Sequence, residues 1–212
     1  MDRGLVLDHL AIRHGDGRAL LSLDARIAPG GILSVMGPSG VGKSTLLAAI
    51  TGTLAKSFRC DGQIHLNGRL LNGLPPQKRR VGILFQDHLL FPHLSVGQNI
   101  GFGLPAGTSH RRDRIATALD DIGLAGFADR DPATLSGGQR ARVALMRMLL
   151  AEPEGLLLDE PFSRLDAELR TRMRELVFER AHRANLPMLM VTHDRADADA
   201  AQGTVIELQP PQ

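Results

Sequence analysis

The chain has 212 residues, 43% hydrophobic and 23% charged, ordinary proportions for a globular protein with room for one domain or a core carrying a subdomain. A formal net charge of +2, with no Trp, no Tyr and only 7 Phe, argues against the basic stripe and stacking platform of a nucleic-acid binder.

From the N-terminus, MDRGLVLDHL mixes acid and base and lacks the apolar stretch of a signal peptide. Short apolar runs then predict strands at 4–7, 32–36, 63–66, 81–85, 155–158, 188–191 and 204–208. Those at 32–36, 155–158 and 188–191 are almost continuously apolar, as parallel strands buried on both faces should be. Between them lie predicted helices: Lys43 to about Ser57, 110–122, 136–151 with Ser136 as N-cap, and 167–184. The pattern predicts an α/β fold, a core of strands and helices interrupted by a mostly helical insert. One domain over 1–212 is expected, with core at 1–87 and 153–212 and the helical insert at 88–152. The lone Cys60 reads as a free thiol in a reducing cytosol. No run reaches the roughly 18 apolar residues that span a bilayer, so a soluble chain is expected, with any membrane role exerted through a partner.

Gly37-Pro38-Ser39-Gly40-Val41-Gly42-Lys43-Ser44-Thr45 fits G-x-x-x-x-G-K-[ST] between a predicted strand and a predicted helix. Glycines let the backbone N–H groups close on phosphates, and the helix N-terminus adds partial positive charge. Lys43 is expected on the β- and γ-phosphates of a nucleoside triphosphate and Ser44 on Mg²⁺. A chance Gly-rich turn would not need the strand–turn–helix context. Further on, Gly155-Leu156-Leu157-Leu158-Asp159-Glu160 is a buried strand ending in adjacent carboxylates. With a P-loop upstream, Asp159 is placed to hold Mg²⁺ through its water shell and Glu160 to activate water. Taken alone, an acidic cap at the strand exit would explain the pair equally well.

Leu135-Ser136-Gly137-Gly138-Gln139, followed by Arg140-Ala141-Arg142-Val143, resembles the signature sequence of ATP-binding-cassette (ABC) transporter ATPases. Physically it is a second Gly-rich helix start, a second backbone site for an anion. The resemblance spans essentially the whole chain and implies a P-loop NTPase (RecA-like) core with an N-terminal antiparallel β part and an inserted helical subdomain. It implies MgATP held head-to-tail between the P-loop of one copy and Ser136, Gly137, Gly138 and Gln139 of another. It further implies Gln86 as a Mg²⁺ or water contact, His193 as a γ-phosphate contact, Ser163-Arg164-Leu165-Asp166 as the loop crossing the dimer interface, and Leu90–Val96 as the segment docking a membrane permease. The wording of DPATLSGGQRARVAL, HLSVGQNI and LLLDEPFSRLD is most similar to the YnjD-type branch of small bacterial importer subunits.

Two positions depart from the family pattern. Where an aromatic usually stacks on adenine this chain has His14, either a weaker stack or an exposed loop residue. Arg164 replaces a small residue, and pairing across a dimer interface and pointing to solvent both fit it. The remaining histidines (9, 65, 88, 93, 110, 182) read mostly as solvated. The sequence closes at QPPQ, soon after the last predicted strand, so inhibition by a C-terminal regulatory domain is not expected. The resemblance therefore implies an ATPase homodimer, with ATP and Mg²⁺, on permease subunits and a solute-binding protein at the cytoplasmic face of the inner membrane. Cassettes of lipoprotein release or cell division share this chemistry. DNA-maintenance cassettes share it too, but the gap between Lys43 and Leu135 is too short for their long coiled coils.

Overall fold

The computed structural model describes residues 3–87 and 89–209, so His88, read above as one of the solvated histidines, lies outside the described residues. The strands run β1 (Leu5–His14), β2 (Ala19–Ile27), β3 (Ile32–Met36), β4 (Phe58–Leu66), β5 (Arg69–Leu70), β6 (Val81–Leu84), β7 (Gly155–Asp159), β8 (Met188–Val191) and β9 (Thr204–Glu207). The helices are α1 (Lys43–Thr51), α2 (Pro76–Arg79), α3 (Val96–Gly103), α4 (Arg111–Asp121), α5 (Gly137–Leu149), α6 (Ala167–Arg183) and α7 (Arg195–Ala200). Residues up to Ile83, Glu154–Glu160 and from Val177 onward form one compact unit; Leu84–Pro153 and Pro161–Leu176 form a second.

In the first unit, β1 runs antiparallel to both β2 and β4 in a sheet ordered β2-β1-β4-β5. Its buried residues are Leu5 and Leu7, then Leu10 and Ile12, a two-residue period broken by one extra residue. The register slips there against both neighbours, and His9 takes a left-handed φ of 47°. The break explains why the apolar pattern read as a strand of 4–7 only. Opposite it, Gly62 (φ 87°) is required, since a Cβ would stand 2.4 Å from the His9 carbonyl oxygen.

The second sheet is ordered β6-β7-β8-β3-β9, with β3 parallel to β8 and β9, and β7 parallel to β8. Leu33 and Val35 of β3, Leu157, Leu189 and Val191 share one buried cluster with Leu46 and Ile50 of α1 and the inward residues of β1. The P-loop helix thus packs into a core that it shares with both sheets. α1 stops at Thr51, short of the predicted Ser57. Gly52 adopts φ 80° and its N–H closes on the carbonyls of Ala48 and Ala49, a glycine stop that a helical pattern extended through Ala55 conceals. Arg79, only 7% exposed, completes that end by donating to the carbonyls of Ala49 (2.9 Å) and Ile50 (2.8 Å).

In the second unit, α3, α4 and α5 bury Val96, Ile100, Leu119, Ala141, Ala144 and Leu145. α3 approaches α5 so closely that a Cβ on Gly103 would stand 2.0 Å from the Arg147 carbonyl oxygen. A short, glycine-rich helix of this kind carries little helical signal in sequence. The unit places Ser136 at the start of α5 and Gln86 just beyond β6. Among the described residues, no helix is long and apolar enough to cross a membrane.

Candidate nucleotide site

The parallel strands β7, β8 and β3 are neighbours in their sheet, and the polar residues of the first unit gather at their C-terminal ends. After β3 the chain turns through Gly37, where a Cβ would meet the Leu208 carbonyl oxygen at 2.8 Å. The loop reaches α1 through Gly42 at φ 102°, a left-handed N-cap whose absent side chain leaves room for Leu21 Cδ2, 2.8 Å from where a Cβ would sit. No side chain caps α1, and its first turn holds no acid, so its leading N–H groups are left for a ligand to satisfy. Lys43 Nζ donates to the carbonyls of Gly37 (2.7 Å) and Pro38 (2.9 Å), which lays the ammonium across the loop.

Ser44 Oγ donates to Asp159 Oδ2 at 3.3 Å, bringing together residues 115 positions apart. The Asp159 carboxyl lies above the ordinary carboxylate range because of burial and, less strongly, the charge of Glu160. The Ser44 hydroxyl and the Lys43 ammonium pull the other way. A hydroxyl beside a desolvated carboxylate is a hard-oxygen donor set whose charge a divalent cation would balance, so these residues fit Mg²⁺. Glu160 follows with φ 47°, a strained conformation for a non-glycine residue, held by its N–H donating to the Val191 carbonyl at 2.9 Å. Its Oε1 lies 2.9 Å from His193 Nδ1; with the carboxylate ionised, the imidazole N–H donates. Lys43, Ser44, Asp159, Glu160 and His193 thus belong to one unit and one set of strand ends.

His14 is half-buried, with Phe58 beside it: the two residues are partners in the β1–β4 ladder and their rings are 5.1 Å apart, tilted by 43°. The reading from sequence missed Phe58, because strand pairing across the intervening residues leaves no local signal.

Gln86 and the 135–139 motif belong to the second unit. Ser136 caps α5 by accepting from Gln139 N at 3.2 Å, and Gln139 Oε1 accepts from Ser136 N at 2.8 Å, a complete capping box. Beyond Gly137 there is open space among the described residues: a Cβ there would meet none of their atoms within 4 Å. A Cβ on Gly138 would contact Leu165 Cδ2 at 3.5 Å, so the 163–166 loop packs beside the signature turn. Of the two readings of Arg164, the chain itself supplies a third outcome: Arg164 Nη2 donates to Asp87 Oδ1 at 2.7 Å, next to Gln86. The 90–96 segment is organised by buried Asn99. Its Oδ1 accepts from Phe91 N at 2.8 Å, and its Nδ2 donates to the carbonyls of Phe91 (3.1 Å), Leu94 (3.1 Å) and Ser95 (3.0 Å). Sequence reading missed Asn99 because an Asn inside an apolar helix face carries no motif.

Comparison with known proteins extends this geometry. Residues 20–163 match the ABC transporter family model. The chain is 48% identical over 198 residues to the uncharacterized ABC transporter ATP-binding protein YnjD of Escherichia coli, covering 92% of this chain and 91% of that protein. It is 47% identical to the thiamine import ATP-binding protein ThiQ of Cereibacter sphaeroides, covering 92% and 83%. With the Fe(3+) ions import ATP-binding protein FbpC 1 of Haemophilus influenzae it shares 40% identity, covering 95% of this chain and 62% of that protein. A dimeric post-hydrolysis structure of the ATP-binding cassette MJ0796 bound to ADP and Pi superposes with a TM-score of 0.80 at 28% identity, covering 97% of this chain and 94% of the other. A P-loop helix without a cap of its own, a carboxylate pair at the neighbouring strand end and a self-capped LSGGQ helix are thus joined to similarity over nearly the whole sequence: the chain belongs to the ABC transporter family, as one of its ATPases.

Proposed function

We propose that two copies of this chain bind MgATP head-to-tail, the P-loop of each facing Ser136, Gly137, Gly138 and Gln139 of the other, and hydrolyse it to energise a membrane permease. The observation that carries this reading is the pairing of Ser44 with Asp159 and of Glu160 with His193 at adjacent strand ends. The leading N–H groups of α1 and the Lys43 ammonium bind the phosphates, with residues 37–45 wrapping them. Ser44 and Asp159 would hold Mg²⁺, which supplies charge neutralisation at the β- and γ-phosphates. Glu160 orients a water and takes its proton as the water oxygen bonds to the γ-phosphorus and the bond to the β–γ bridging oxygen breaks, releasing ADP and phosphate. General-base help of this kind is worth about 10²–10⁴ in rate. His193 bonds Glu160 on one side and contacts the γ-phosphate with the other edge of its ring.

The thiamine and Fe(3+) import ATPases among the relatives support a bacterial importer, placed at the cytoplasmic face of the membrane by its permease and served by a solute-binding protein. Glu160→Gln is the test. It should abolish hydrolysis, retain ATP binding and accumulate an ATP-dependent dimer in size-exclusion chromatography; hydrolysis at near wild-type rate would remove Glu160 from this role. His14, backed by Phe58, stacks on the base more weakly than a larger aromatic. GTP should therefore bind nearly as well as ATP, and a strong preference for ATP in competition titrations would refute that part.

A further inference from the structure

The His193 side chain is 65% exposed, and its hydrogen-bonding partner among the described residues is Glu160. An imidazole with so little side-chain packing is aimed chiefly by its backbone, and the residues flanking it are unusually well anchored. Thr192, 1% exposed, donates its N–H to the Val35 carbonyl at 3.2 Å, tying it to the strand that leads into the P-loop. Its Oγ1 accepts from Asp194 N at 3.0 Å and donates to Oδ2 of Asp197 at 3.3 Å. Asp197 is itself only 2% exposed. A carboxylate buried this deeply is costly and is kept where its hydrogen bonds define a conformation.

The chemistry gives the arrangement a direction. An ionised carboxylate only accepts, so the Thr192 hydroxyl must turn its hydrogen toward Asp197. Its lone pairs are thereby presented to the Asp194 N–H, which closes the turn immediately after His193. The Asp194 side chain, in turn, accepts from Ala196 N at 2.8 Å and starts α7, which carries Asp197 back to Thr192. The loop of contacts is closed, and His193 is the residue it encloses.

We propose that Asp197 is a positioning residue for His193, acting through the Thr192 hydroxyl to fix the turn that aims the imidazole; this rests on the reading of His193 as a γ-phosphate contact. The test measures kcat and KM for MgATP, nucleotide affinity and thermal melting for Thr192→Val, Thr192→Ser, Asp197→Ala, His193→Ala and the His193→Ala/Asp197→Ala double variant. Thr192→Val and Asp197→Ala should lower kcat about 10-fold or more while KM moves less than about threefold, the signature of a misaimed group. Thr192→Ser, which keeps the hydroxyl, should restore most of the lost rate. In the His193→Ala background, Asp197→Ala should cost nothing further. A full-rate Asp197→Ala variant, no rescue by Thr192→Ser, or an equal loss with and without His193 would overturn the proposal. If Asp197→Ala fails to fold, the near-isosteric Thr192→Val and its Ser counterpart decide alone. An active His193→Ala variant would instead overturn the reading of His193, a different and separable result.

Discussion

The two glycine-rich helix starts of this molecule solve opposite problems. α1 begins at a left-handed glycine with no side-chain cap and no acid in its first turn, so its leading N–H groups await an anion. α5 begins with a complete capping box, in which Ser136 and Gln139 satisfy each other's backbone before any ligand arrives. The first is a socket that a ligand would complete; the second is already capped and presents the open side of Gly137. The same words, a helix N-terminus that attracts phosphate, hide this difference. It predicts that substitutions at α1 act on nucleotide affinity within one chain, whereas those at α5 act on stability and on dimerisation.

Gly42→Ala should have the largest effect on nucleotide affinity. It combines φ 102° with a Cβ set 2.8 Å from Leu21 Cδ2. Strain of about 1–3 kcal/mol at the lip of the phosphate loop should weaken ATP binding by roughly 10–100-fold, read by a fluorescent-nucleotide titration alongside circular dichroism. Wild-type affinity would break the contrast between socket and capped end.

The charge facing α1 sharpens it further, because Ser44 opens the helix beside a carboxyl that burial pushes up. A carboxyl whose folded pKa exceeds its unfolded one contributes stability in acid, fully present below the unfolded pKa and lost as pH rises through the folded pKa. Asp159→Asn does not titrate. Without nucleotide or Mg²⁺ its melting temperature should therefore gain on that of wild type as pH rises from acid to neutral. A difference that stays constant with pH would show that desolvation is not the cause. With Mg²⁺ and ATP added, the variant should lose the ligand stabilisation that wild type gains.

At α5 the expected effect is smaller and of a different kind. Ser136→Ala removes one side of the capping box and should cost about 1 kcal/mol of folding stability, measured by urea denaturation. ATP affinity of the isolated chain should hardly change, while the ATP-dependent dimer should weaken. A large loss of monomer affinity would mean that Ser136 serves the P-loop of its own chain.

How much of this was legible in the sequence follows from the range of the interactions. Strands such as β3, β7 and β8 are buried on both faces, so their apolar runs announce them, and the motifs at 37–45 and 159–160 mark where β3 and β7 lead. The α/β class and the antiparallel N-terminal part agree with the observed fold. β2 went unread because Leu21 and Leu23 alternate in a run interrupted by Asp24 and Arg26, and β1 was read only over 4–7 because its bulge shifts the period. Contacts between distant positions left no trace: Phe58 beside His14 and Asp87 under Arg164 each depend on pairing that only the folded chain brings about. α7 is six residues long, too short for a periodic pattern, and so nothing in the sequence marks the carboxylate of Asp197 as buried.

Gly137→Ala separates the two helix starts most cleanly, because its two consequences have opposite sign. A Cβ at 137 meets none of the described residues within 4 Å and sits in the first turn of a helix, where Ala is favoured over Gly by at most about 1 kcal/mol. The isolated chain should therefore fold as well as wild type or slightly better, and bind ATP unchanged. In the head-to-tail dimer that same methyl group would project into the space reserved for the phosphates of the other copy. The variant should then lose the ATP-dependent dimer and with it hydrolysis, despite its gain in stability. A variant that dimerised and turned over normally would show that the open side of Gly137 faces solvent in the working state, and the two-copy site would have to be built on other residues.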